Sequence, residues 1–374
     1  MRHASWVGAL VLLGVVVAVA VAGDLDDTPE WMRPLTTSHG VEREAAIHAL
    51  AQRPDRLTDC LTALDGEYAM VHKAAVAEAV ARMNLSPQDV TQAATLLKDS
   101  RMPVRSAGLR ILGAHASSAR QTLAAVASDA DEAVALRAMA SRALGGAGSA
   151  ALADLRALLR AEQTPDAVRL AVVQALAQVS ETGMGDAATL AQDSKARRVE
   201  REVALQAIGA QGASAVPTLQ GLAQAQEAWV RASALAALQT ASTSEGTAAF
   251  ASALTDTSAP VRLAGLRGLV SRNAHGAKRT AVMKLLVDPD VRVKMLATRC
   301  VGATCLDIKS TVIPTLKTLL ASPTFAVRRE AALALLALQD KGGQATMLAD
   351  SASTNPAQAT QAALAHTQIK NASW

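Results

Sequence analysis

The sequence predicts an all-α chain built as an array of stacked two-helix units, an α-solenoid. Three observations predict it. A basic residue followed seven positions later by a large aliphatic one recurs at intervals near 31 residues along most of the chain. Half of the 374 residues are apolar but only 2% are aromatic, so alanine and leucine must supply the core. Alanine favours helix and permits close helix–helix approach. The alternating β-branched and aromatic runs that mark strands are absent.

The elements follow in order. Residues 1–22, MRHASWVGALVLLGVVVAVAVA, carry a short basic head, an uncharged apolar run and a small-x-small ending at Ala20-Val21-Ala22. This is the pattern of a secretory signal peptide. The alternative is an uncleaved membrane anchor through residues 6–22, near the lower length limit for spanning a bilayer, about 17 residues. Residues 23–38 read as an acidic linker or N-terminal cap. The repeat array is expected over 39–342, and 343–374 as a C-terminal capping helix and tail, its helix started by Asn355-Pro356.

Within the array the recurring basic residues are Arg43, Lys73, Arg105, Arg137, Arg169, Arg201, Arg231, Arg262, Arg292 and Arg329, with Arg328 an alternative register for the last. The aliphatic partners are Leu50, Val80, Leu112, Leu144, Leu176, Ile208, Leu238, Leu269 and Leu336. Arg299 interrupts the series, with Val301 beside it as a substitute. A fixed period of this length signals a stacked array. VPTLQGLA (216–223), IPTLKTLLA (313–321) and LADLRALLRA (152–161) read as first helices, and the Val-Arg segments as second helices. Thr164-Pro165, Asp288-Pro289 and Ser322-Pro323 are expected to start second helices. Gly113, Gly145, Gly146 and Gly209 are expected to end them.

This pattern resembles HEAT repeats of the short bacterial kind. The resemblance rests on the Leu-Pro-x-Leu-like first helices, the Asp/Pro-x-Val-Arg lead-in and the alanine and leucine spacing of the second helix. It covers roughly residues 36–340. It implies a right-handed solenoid of about ten units whose second helices line the concave side. It also implies that Arg105, Arg137, Arg169, Arg201, Arg231, Arg262 and Arg292 form a structural ladder. Each would pair with an acid near a helix start, the candidates being Asp99, Asp166, Glu227, Asp256 and Asp288. A partly buried charge needs a fixed partner.

No catalytic constellation stands out. None of the seven histidines has metal-ligand spacing, and no P-loop or G-x-S-x-G is present. No catalytic, metal or cofactor-binding residues are assigned, and no cofactor is expected. Cys300 and Cys305 are either a small disulfide loop or two small buried residues; Cys60 is left over.

A binding surface is the more promising reading. Five positions after each ladder residue runs a largely polar stripe: His48, Glu78, Arg110, Arg142, Gln174, Gln206, Ala236, Arg267, Ala297 and Ala334. A solvated face would read the same way. Charge is graded: Asp24 to Asp99 holds 13 acidic and 7 basic residues, Arg262 to Arg299 holds 2 and 9. Arg272, Lys278 and Arg279 flank an expected turn, which places Arg272 and Lys278 at the exposed edge of the array. Arg110, Arg142, Gln174, Gln206, Arg267, Arg272, Lys278 and Arg279 are therefore the candidate partner-binding residues.

The expected function is a non-catalytic, protein-binding scaffold or assembly subunit, exported and periplasmic or extracytoplasmic, or tethered by its N-terminus. Its partner is expected to be another protein with an acidic surface, not nucleic acid; self-association stays open. The alternatives are a HEAT-like enzyme of the lyase type with its site in the concave groove, and a single-span accessory subunit of a membrane complex.

Overall fold

The computed structural model describes residues 28–37, 40–66, 70–241 and 246–373. The expected signal or anchor, residues 1–22, lies outside the described residues, as do residues 23–27 and 38 of the acidic segment that follows it. Every regular element among the described residues is helical. None of these helices is long and apolar enough to cross a membrane.

The chain divides into two compact units, one ending at Asp186 and the other beginning at Ala187. In the first, second helices Val41–Ala51, Met70–Ala81, Met102–Ala114, Val134–Leu144 and Asp166–Val179 alternate with first helices such as Leu57–Asp65, Ala116–Ser128 and Leu152–Arg160. One continuous core runs from Met32 to Val179. In the second unit, second helices are Arg198–Gly209, Ala228–Thr240, Ala259–Ser271, Val291–Thr304 and Phe325–Ala337. Between them lie Val216–Leu222, Thr247–Ala253, Arg279–Lys284 and Lys309–Leu319, followed by Gln344–Asp350. The helix Pro356–Asn371 closes the array. The Asn355 side chain accepts from the N–H groups of Ala357 and Gln358 at 3.0 and 3.3 Å, and Ala365 and Ile369 pack onto Ala332 and Met347.

The backbone explains the repeat. From Met70 onward, the ladder residue is the fourth of each second helix, the third is buried, and the residue seven later is at 0% exposure in every copy. That rule corrects the sequence register once and decides the open choice at the last copy. In Val291–Thr304 the fourth residue is Lys294, not Arg292; Val293 and Val301 are the buried pair, both at 0%. The Val291-Arg292 dipeptide imitates the motif two positions early. Arg292 instead turns outward and pairs with Asp290, its own helix's N-cap, at 2.9 Å. In Phe325–Ala337 the fourth residue is Arg328, with Leu335 buried beneath it. The spacing then tightens to 30–34 residues.

Four ladder arginines share one geometry. The Nε and Nη2 of Arg262 fork onto Asp288 at 2.6 and 2.7 Å, while Nη1 donates to the carbonyls of Asp256 and Thr257 at 2.8 and 3.0 Å. Arg105 does this with Glu132 and the carbonyls of Asp99 and Ser100. Arg231 uses Asp256 and the carbonyls of Ala225 and Gln226. Arg328 uses Asp350 and the carbonyls of Ser322 and Pro323. A planar fork of five donors suits a carboxylate and two carbonyls at once, which a lysine cannot match.

The acid belongs to the following repeat, so each arginine clips one repeat to the next. Asp256 takes Arg231 on its carboxylate and Arg262 on its carbonyl. Arg201 reaches Glu227 at 2.5 Å, whereas Arg137 and Arg169 donate to the carbonyls of Ala127 and Leu159. After Lys294 the next loop is Ser322-Pro323-Thr324, which has no carboxylate. Lys294 makes no ion pair among the described residues.

These pairs predict acid lability. The hydrogen bond from Arg292, with two backbone N–H groups, holds Asp290 down at about 2. Burial pushes Asp256 up, but Arg231 and the Ser258 N–H pull harder, and the net shift is downward. A carboxyl depressed on folding contributes stability above its unfolded pKa, about 3.9, and loses it as pH falls through the folded value. Melting temperature should therefore stay flat above the carboxylate range and drop from about pH 4 toward pH 2. Thermal melts that hold or rise on acidification would contradict it.

Two expected punctuation signals work differently. Thr164, Asp288 and Ser322 are not N-caps; the caps are Pro165, Asp290 and Thr324. Asp288 lies two residues upstream, accepting from the Asp290 N–H at 2.8 Å, because the proline that follows displaces the helix start. Gly113, Gly145 and Gly209 do stand at the ends of their second helices, but without the positive φ of a left-handed stop, which among the described glycines belongs to Gly40, Gly148 and Gly212. They are close-approach points. A Cβ on Gly113, Gly209 or Gly302 would stand 3.1, 2.9 and 2.8 Å from Ala143, Ala237 and Ala334 of the neighbouring second helix. Small-on-small contact sets how tightly successive repeats stack.

Candidate protein-binding surface

Correcting the register corrects the polar stripe. Ala297 and Ala334 are 0% and 3% exposed, so neither can face solvent. Their places, five positions after Lys294 and Arg328, belong to Arg299 and Leu333. In the first unit the stripe holds Glu78, Arg110, Arg142 and Gln174. Arg110 pairs with Glu78 at 3.1 Å, and Glu78 also holds Arg82. Arg142 is exposed and Gln174 half-buried. In the second unit the stripe runs through Gln206, Ala236, Arg267, Arg299 and Leu333.

A groove of about 490 Å³ opens on the second unit's stripe, between Arg198–Gly209 and Ala228–Thr240. Glu202, Leu205, Gln206, Gly209, Ala210, Ser233, Ala236, Ala237 and Thr240 line it. It is hollow because small residues stand where larger ones would fill it. Trp229 closes the neighbouring helix start. Its ring lies 4.0 and 4.8 Å from the guanidinium carbons of Arg198 and Arg201, and its Nε1 donates to Glu227 at 2.6 Å. Trp229 is thus a brace between repeats.

The basic segment 262–299 is less open than its sequence implies. Arg272 is not an exposed edge residue. Its Nη2 donates to the Leu238 carbonyl at 2.7 Å and its guanidinium lies 4.7 Å from the Phe250 ring. Burial pushes its pKa down. Arg279 pairs with Asp307 at 2.7 Å, and Arg299 with the buried Glu330 at 3.1 Å. Lys278 is exposed. Among the described residues Arg267, Lys278, Lys284 and Lys294 form no ion pair.

The cysteines offer no bridge. Cys60, Cys300 and Cys305 are all buried free thiols. Cys300 lies in the helix Val291–Thr304 and Cys305 is its C-cap. Five helical positions turn the chain about 140° around the axis, so the two side chains diverge. Burial pushes the thiols of Cys60 and Cys300 up to about 12 and about 11, which suppresses the thiolate needed for nucleophilic chemistry. Among the described residues no cluster of His, Cys, Asp and Glu could hold a metal ion. A second cleft, of about 460 Å³, lies between first helices of the first unit. Thr58, Thr62, Gln92, Thr95, Lys98 and Asp99 are among its walls.

Residues 247–337 match the family of HEAT repeats. The chain carries HEAT repeats. Crystal structures of the karyopherin Kap121p share the helical solenoid fold. Free Kap121p superposes with a TM-score of 0.50 at 14% identity, over 91% of this chain and 45% of that one. Kap121p bound to Pho4p and Kap121p bound to Nup53p each give a TM-score of 0.53 at the same identity and coverage. This chain thus spans under half the length of Kap121p, and at such identity the likeness is one of fold. No curated protein matches the chain in sequence.

Proposed function

We propose that this chain is a non-catalytic, exported scaffold that binds another protein on the second-helix face of its HEAT repeats. The observation that carries the reading is the stripe. At successive second helices up to Arg299 one position stays outside the ladder and core, is mostly polar, and opens in the second unit into a groove. Stacked repeats present such faces as extended binding surfaces. Kap121p, of the same fold, has been crystallised with other proteins bound. Export rests on residues 1–22, with a tether through residues 6–22 as its variant form.

The triple variant Gln206→Glu, Ala236→Glu, Arg267→Glu should lose the native partner while keeping its helical spectrum and melting temperature. Retained capture of the partner would refute the reading. The mass of the isolated native protein tests export: a chain starting at Gly23, or an intact one sedimenting with membranes, supports it, and an intact soluble chain overturns it.

A further inference from the structure

Resting on that surface, we infer that the second unit's groove takes a peptide segment in the polyproline II conformation, in which an apolar side chain is followed about three residues later by a carboxylate on the same face. Three features combine. The floor of the groove is apolar and small, from Leu205, Gly209 and Ala236, and its volume of about 490 Å³ is more than one aliphatic side chain needs. Gln206 and Ser233 line it with polar side chains that make no hydrogen bond among the described residues. They are available to the segment's backbone, which makes no internal hydrogen bonds in this conformation and whose N–H and C=O groups must stay bonded when buried.

The third feature is charge. The groove's own acid, Glu202, pairs with Arg198 at 2.7 Å, so its negative charge is offset by a neighbouring positive one. One repeat further along the same register stands Arg267, exposed and without an ion pair among the described residues. Adjacent helices lie about 8–10 Å apart. A polyproline II segment rises about 3.1 Å per residue with three residues per turn, so one turn covers that distance and brings the third residue on back to the same face. A side chain seated beside Ala236 therefore puts the third residue on near Arg267. A carboxylate there gains a charge-assisted bond, and a lysine meets a like charge.

The test uses the full chain and soluble labelled peptides in which one leucine is followed, about three residues on, by glutamate, alanine or lysine. Binding read by fluorescence anisotropy should rank glutamate above alanine above lysine. The glutamate and lysine peptides should differ about tenfold at low salt and converge as salt rises. Arg267→Glu should reverse the order, and Ala236→Tyr should weaken all three. Equal binding of the three peptides, all lost in Ala236→Tyr, would overturn the carboxylate specificity and leave the binding face standing. Indifference to Ala236→Tyr, or no binding of any peptide, would overturn the groove as a peptide site. The proposed function is decided separately, by capture of the native partner.

Discussion

Replacing Gly268 with alanine is expected to lower stability by about 3 kcal/mol, at the upper end for overpacking a core. A Cβ at this position would stand 2.2 Å from the Phe250 ring, well inside contact distance. Phe250 is at 0% exposure, wedged between Thr247–Ala253 and Ala259–Ser271, so the ring has nowhere to turn. Gly265 is equally tight, with the Phe250 carbonyl and Ala253 Cβ both at 2.7 Å. The two glycines in this stretch are what let the largest buried side chain of the second unit sit against a helix backbone. The interaction is specific. Phe250→Leu in the Gly268→Ala background should recover part of the loss, and a double-mutant cycle should show a coupling of about 1 kcal/mol or more. Strict additivity would place the clash elsewhere.

Arg262→Ala should cost about 3 kcal/mol. The Asp288 side chain it abandons is only 3% exposed, and Arg262 itself is 11% exposed. Removing one partner of a buried pair leaves an uncompensated charge, which costs more than the pair contributes when intact. Two carbonyls, those of Asp256 and Thr257, lose a donor as well. Arg262→Lys should recover little, since an ammonium cannot serve a carboxylate fork and two carbonyls together. Arg292→Ala is the control. Its guanidinium is 63% exposed, and its loss should shift stability by less than about 1 kcal/mol. Melting should be followed across the whole transition, because stacked repeats need not unfold in one step. Equal losses at 262 and 292 would refute the corrected ladder.

Most of the fold was legible because its cause is local and repeated. From Met70 onward a ladder residue, a buried neighbour before it and an aliphatic residue seven later recur in every second helix, and helical periodicity turns that spacing into a buried face. The register failed at Arg292, where a Val-Arg dipeptide stands just before the true position, Lys294, while the last copy, open between Arg328 and Arg329, falls on Arg328. The aliphatic rule held the answer: Val301 and Leu335 lie seven residues after Lys294 and Arg328. Other features depend on where distant segments meet. Arg272 turns inward because the Leu238 carbonyl, 34 residues away, and the Phe250 ring wait for it. The groove exists because Gly209 meets Ala237 across two helices. The ladder acids were among the expected ones at Glu227, Asp256 and Asp288, each serving the arginine of the neighbouring, preceding repeat.

The central claim is that a partner protein docks on the second-helix face. Site-specific photo-crosslinking in the native cell tests it most directly. One probe replaces Gln206, in the groove; the other replaces Ser252, exposed on the first helix Thr247–Ala253. The account predicts a discrete protein adduct from position 206 and none from position 252. An adduct from position 252 alone, or from neither position, would contradict it.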